Sequence, residues 1–443
     1  MLLIHSQLVN NRVAYIFKYI FKEVLKVDFR LTEDLSEFLE YKGPKFSYGK
    51  IPIGGSSIPH FGAVDLLFET DVFKQIIEFE KLYDSNGEVY FFKVTEGIIP
   101  FDVFACSFYL LTRYEEYLPH KKDRYGRFDP EESAAFKGNF LDRPLINIWA
   151  NQIKHILSNH FPNLHFPYVP FLFKPSINID NAYSFKYKGA VRIVFSLVTL
   201  LLTLNFKKFY HRILIHLGLE NDPYDTYEKQ LNINKQYNVK PIYFILLGNN
   251  GKFDKNNSFK NKGYINLINR LEKEVEIGFH PSYHSCRSER QLEVEKHRLE
   301  KIIGRKVTKS RHHSIKIDLP ITYQLLAKAG IKEDYSMGYP TKIGFRASTC
   351  TPFNFFDLQK NEESDLKINP FIIMDSTLKK YLHVKSKDVV TYLSPLVDAI
   401  KSTGGTFMFI FHNESMGGGK VWKNWGEVYE RFIKLAISKS AEK

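Results

Sequence analysis

From Phe171 onward, short runs of apolar residues alternate with longer amphipathic stretches, and each run ends abruptly in polar residues. The runs are 176–180 (SINID), 241–247 (PIYFILL), 275–279 (VEIGF) and 406–411 (TFMFIF). Apolar runs of this length between turn residues read as buried strands, and the stretches 264–273, 291–303 and 320–329 between them read as helices. This alternation predicts a largely parallel α/β barrel or sheet. Such folds build their sites just past the strand ends. Here those ends carry Asn178 and Asp180, a Gly-Asn-Asn-Gly turn at 248–251, His280, and His412-Asn413-Glu414.

Before Phe171 the pattern is mixed. Val13, Ile16, Phe17, Ile20, Phe21 and Val24 recur at helical spacing, so residues 1–26 read as a soluble amphipathic helix and lack the continuous apolar core of a signal peptide. Strand-like segments follow at 28–31 and 45–48, a flexible Gly-Gly-Ser-Ser turn at 54–57, an apolar helix with a charged end at 101–117, a turn at 123–130 and a helix at 145–157. Arg113, Glu115 and Glu116 at the charged end read as solvated or paired side chains. Pro162, Pro167 and Pro170 then punctuate the chain. They divide it into a smaller N-terminal α/β domain, 1–170, without an acid–base cluster, and a unit at 171–443 that carries the chemistry.

A chain of 443 residues agrees with two domains. Its net charge of +13 is spread along the sequence with no basic block interleaved with aromatics, which argues against a nucleic-acid partner and for a solvated basic surface. Three cysteines, Cys106, Cys286 and Cys350, stand too far apart for a disulfide framework or a CxxC metal motif and suit a reducing, cytoplasmic compartment. The most lipid-like stretch is 193–204, preceded by Arg192 and followed by Lys207 and Lys208. It is too short to span a bilayer and reads as a buried helix, with a peripheral helix on an anionic inner membrane face as the alternative.

The chemistry gathers around His280 and His284. If the residues after Pro281 form a helical turn, both imidazoles project from one side of it. Imidazole is a common ligand for zinc, whose catalytic sites take three protein ligands and a water. Two structural histidines are the plainer reading of the same spacing. His312 and His313 stand as alternatives to His284.

In chain order, Asn178-Ile179-Asp180, His280-x-x-x-His284, Arg311, Asp334-Tyr335-Ser336 with Gly344-Phe345-Arg346-Ala347, and His412 after the last apolar strand resemble the NodB-homology polysaccharide deacetylases, in the branch whose first motif is Asp-x-Asp. With FDVFACSFYLLTRYEEYLP and DYSMGY included, the whole chain resembles two-domain deacetylase-like proteins of bacterial surface-polysaccharide loci. The resemblance implies a distorted (β/α) barrel of NodB type preceded by a smaller α/β domain. It implies removal of an acetyl group from an N- or O-acetylated sugar or glycan precursor. It implies a divalent metal, zinc by preference, on Asp180, His280 and His284, with Arg311 orienting the catalytic base, Asp334 supporting the catalytic histidine and His412 as general acid. The family's base position is occupied here by Asn178, an amide that orients water but takes no proton from it. Two readings follow: an enzyme whose base is His313 or Glu333, or a weak or inactive deacetylase-like protein that binds glycan.

Overall fold

The computed structural model describes residues 1–55, 57–81, 89–418 and 420–441; Ser56 of the 54–57 turn lies outside them. Strands β1 (Leu2–Ser6), β2 (Phe29–Thr32), β3 (Lys45–Gly49) and β4 (His60–Gly62) form an all-parallel sheet in the order β2-β1-β3-β4. Residues 1–26 are therefore not one helix. Every residue of β1 is buried, as an interior parallel strand requires, and the helix starts only at Asn11, where the Asn10 side chain accepts the Val13 N–H. Strands β5 (Glu80–Lys81) and β6 (Val89–Tyr90) pair antiparallel in a two-stranded sheet.

The second sheet comprises β7 (Phe171–Ile179), β8 (Ile242–Leu246), β9 (Glu276–His280), β10 (Lys309–Ser310), β11 (Glu333–Asp334), β12 (Phe353–Asp357), β13 (Glu362–Ile368), β14 (Ile373–Met374) and β15 (Gly405–His412). Their order is β12-β13-β11-β10-β9-β8-β7-β15-β14, and only β12–β13 is antiparallel. The first strand, β7, thus lies beside the last, β15, and their register sets His412 opposite Asn178. Among the described residues β12 and β14 remain edges. The fold is therefore a mixed α/β architecture with parallel sheets; of the expected distorted barrel, closure, which needs its edges paired, is not shown among the described residues.

One contiguous apolar core runs from Leu2 and Ile4 through Trp149 to Phe432 and Ala436. Phe356 of β12 packs against Tyr15 and Phe108 with ring centroids 4.8 and 5.3 Å away. Arg113, Glu115 and Glu116 are paired and buried. The helices Ala190–Leu202 and Phe206–Leu217, inserted between β7 and β8, pack on each other and bury only Leu200 and Ile215. The buried helix expected at 193–204 is therefore an exposed one, with Leu200 alone buried along Ala190–Leu202. No helix among the described residues is long and apolar enough to cross a membrane.

Candidate active site

Four parallel strands deliver the polar groups. Asp180 follows β7, His280 ends β9, His313 follows β10, and His412 ends β15. His280 Nε2 lies 3.0 Å from Asp180 Oδ1, and Nε2 of His313 and of His412 lie 3.4 and 3.6 Å from Asp180 Oδ2. Each ring is held from behind through Nδ1: His280 by the Arg311 carbonyl, His313 by Asp254 at 2.7 Å, and His412 by Asp375 at 2.7 Å. Asp375 also accepts the His412 backbone N–H at 2.8 Å. Burial by itself would raise the Asp180 carboxyl, but His412, His313 and the His280 hydrogen bond outweigh it and hold the group well below the usual carboxylate range.

The chemistry of these donors fits a divalent ion. His280 donates its Nδ1 proton to the Arg311 carbonyl, so in the neutral ring the Nε2 lone pair faces a carboxylate oxygen at 3.0 Å. Two lone pairs at that distance need a cation between them. Burial pushes the His280 pKa down, which disfavours a proton in that role. Ligand atoms sharing a tetrahedral zinc at ~2.0–2.1 Å stand about 3.3 Å apart, and second-shell hydrogen bonds behind each imidazole are usual. Among the described residues no three His, Cys, Asp or Glu side chains form a ready-made metal cage. What fits is the donor set, and Asp180, His280 and His313 are the residues that would hold the ion.

Several expected residues lie elsewhere. The segment after Pro281 forms a 3₁₀ turn over Tyr283–Arg287, so the helical spacing that paired His284 with His280 does not arise. His284 is exposed and packs on Tyr283 and Phe253; His313 stands in its place beside Asp180. His312 is fully buried without a side-chain hydrogen bond, and burial pushes it down to about 3. Asp334 binds Ser310 and Ser336, at 2.8 Å to each, and does not reach His412; Asp375 is the acid behind that ring. Glu333 is bonded to Tyr335 and Lys309 and does not line the cleft. Arg311 is buried and stacks on Phe244, with 4.4 Å from its guanidinium carbon to the ring centre. It donates to Asn178 Oδ1 at 3.1 Å and to Ser176 Oγ at 2.8 Å. Burial pushes its pKa down to about 9, only partly offset by Asp334.

The site opens into a cleft of about 650 Å³. Asn178, Asp180, His313 and His412 line it on one side, and Arg124, Tyr125 and Arg127 of the N-terminal part line it as well. Arg127 is fixed by Asp123 at 2.6 Å and donates to the Ser314 carbonyl at 2.8 Å. Ser314 and Ile315 have φ of 58° and 54°, a left-handed backbone rarely taken by a β-branched residue. The bond from Arg127 braces this strained turn directly after His313, whose ring Asp254 holds. The first part of the chain thus contributes a wall and a brace, which the absence of an acid–base cluster there had concealed.

Residues 2–162 match the model of a family of unknown function, DUF7033. No curated protein matches the chain in sequence. Among solved structures, a protein assigned as a polysaccharide deacetylase from Mycobacterium smegmatis is similar at 13% identity, covering 63% of this chain and 87% of that one, with a TM-score of 0.40. The polysaccharide deacetylase Bc1974 from Bacillus cereus is similar at 12% identity over 61% of this chain and 88% of that one, with a TM-score of 0.29. A mutant of a CE4-family pseudoenzyme with restored enzymatic activity is similar at 11% identity over 61% and 62%, also at 0.29. Likenesses of this size assign no residue role in this chain.

Proposed function

We propose that the chain is a metal-dependent hydrolase that removes an acetyl group from an N- or O-acetylated sugar or glycan precursor. The observation that carries this reading is the meeting of Asp180 with His280, His313 and His412 at the tips of parallel strands, inside a cleft large enough for a sugar. A divalent ion on Asp180, His280 and His313, zinc by donor type, would supply a Lewis acid for the acetyl carbonyl and a water acidified enough to lose its proton to solvent, because His313 is then a ligand and Glu333 lies off the cleft. His412 faces the same point. Burial disfavours its charged form, and Asp375, which accepts the Nδ1–H hydrogen bond at 2.7 Å, favours it. The charged ring gives its Nε2 proton to the departing nitrogen or oxygen, a contribution of ~10²–10⁴-fold for a positioned acid.

The second reading, a weak or inactive deacetylase-like glycan binder, is favoured by one contact. Arg311 can only donate, so it occupies Asn178 Oδ1 and leaves the amide NH₂ for the cleft. Asn178 therefore offers the substrate a donor and no base. Acetate release from a panel of N- and O-acetylated sugars, measured for wild type and Asn178→Asp, decides between the readings. An active enzyme releases acetate as wild type and changes little in the variant. A glycan binder gains up to the ~10²–10⁴-fold that a positioned base contributes. Release by neither protein contradicts deacetylation and leaves glycan binding.

A further inference from the structure

The insertion between β7 and β8 turns its apolar face outward. In the helix Ala190–Leu202, Val191, Val194, Phe195, Val198, Leu201 and Leu202 are 83, 59, 74, 45, 41 and 79% exposed. They recur at i, i+3, i+4, i+7, i+10 and i+11, which is one stripe of the helix. Such a stripe normally faces a core. In the next helix, Phe206–Leu217, the exposed Phe206, Tyr210 and Leu217 also share a face. Between Asp180 and Glu220 the sequence has no carboxylate, while Lys186, Lys188, Arg192, Lys207, Lys208 and Arg212 carry positive charge.

We propose that this helical hairpin is a monotopic anchor that lies in the interface of an anionic bilayer, its apolar stripes at the acyl boundary and its cations on lipid phosphates. The helices have 13 and 12 residues, enough to lie in the interface and too few to span. A second copy on the same face is disfavoured, because it would bring two sets of cations together with no carboxylate between them. The root of the hairpin is fixed. Asp222, 2% exposed, accepts the backbone N–H groups of Ser184, Phe185 and Lys186 at 2.7, 2.7 and 2.9 Å. Asn257 donates to the Lys186 and Tyr187 carbonyls, and the Arg212 guanidinium lies 4.6 Å from the Phe185 ring centre.

Flotation of the full chain with phosphatidylcholine–phosphatidylglycerol vesicles in a two-to-one ratio, beside phosphatidylcholine alone, tests the anchor without any catalytic readout. Wild type is expected to float with the anionic vesicles and far less with the neutral ones. Phe195→Glu with Leu202→Glu is expected to abolish flotation, and Lys207→Gln with Lys208→Gln to weaken binding about fivefold for each charge removed. All four positions are exposed, so the variants are expected to stay folded, which their circular dichroism checks. Failure of wild type to float, or equal flotation of the Phe195→Glu, Leu202→Glu variant, overturns the proposal. A wild-type dimer that this variant dissolves, without vesicle binding, overturns it in favour of a self-interface.

Discussion

Arg346 clamps Glu116 in a buried two-point ion pair, Nη2 to Oε2 at 2.6 Å and Nε to Oε1 at 3.0 Å, although the two residues lie 230 positions apart. Arg113 adds a third bond to Glu116 at 2.8 Å and reaches Glu115 at 2.7 Å and the Tyr339 hydroxyl at 3.1 Å. Burial alone would raise the Glu116 carboxyl, but Arg346 and Arg113 outweigh it and hold the pKa at about 2. Glu116→Gln leaves two buried guanidiniums short of a counter-charge and should cost on the order of 3–5 kcal/mol in urea unfolding at neutral pH.

The same pair fixes the sign of an acid effect. A depressed carboxyl stabilises the fold above its unfolded pKa, near 4.5, and that contribution fades as pH falls toward about 2. Glu115 shifts upward through burial, so its titration acts in the opposite sense. Comparing wild type with Glu116→Gln removes Glu116 together with its upward push on Glu115, and the stability gap should narrow steadily from about pH 4.5 downward. A gap independent of pH would contradict the assignment.

The ion pair and the Phe356 contacts with Tyr15 and Phe108 tie the first part of the chain to the second. We expect residues 171–443 expressed alone to lack a cooperative unfolding transition, because Arg346 and Phe356 lose their partners. A sharp, reversible transition in that fragment would show that the two parts fold independently.

Asp375 and Asp334 are both fully buried acids, but only Asp375 touches His412. Asp375→Asn should lower acetate release about 10²-fold or more, because the ring loses the acceptor that orients it and favours its protonated form. Asp334→Asn should act on stability through Ser310 and Ser336 and leave release within about tenfold. Equal release by Asp375→Asn and wild type would remove the pair from the mechanism.

The strand tips were legible because strands of a parallel sheet, covered on both faces, read as near-continuous apolar runs. That placed Asp180, His280 and His412 at one end of the sheet. The choice of His313 over His284 was not legible. It depends on a 3₁₀ turn after Pro281 and on a strained loop braced by Arg127, 187 positions away from Ser314. Asp375 follows a strand of only two residues, too short to leave a periodic signal. The exposed hairpin was legible only as the alternative to a buried helix: an apolar helix signals burial, and its sequence does not say whether the burying surface is protein or lipid.

Elemental analysis of the purified chain tests the proposed metal centre on Asp180, His280 and His313 most directly. Wild type and His284→Ala should each carry about one zinc per chain, and His313→Ala should carry almost none. Equal metal in all three proteins, no metal in wild type, or loss in His284→Ala with retention in His313→Ala would contradict it.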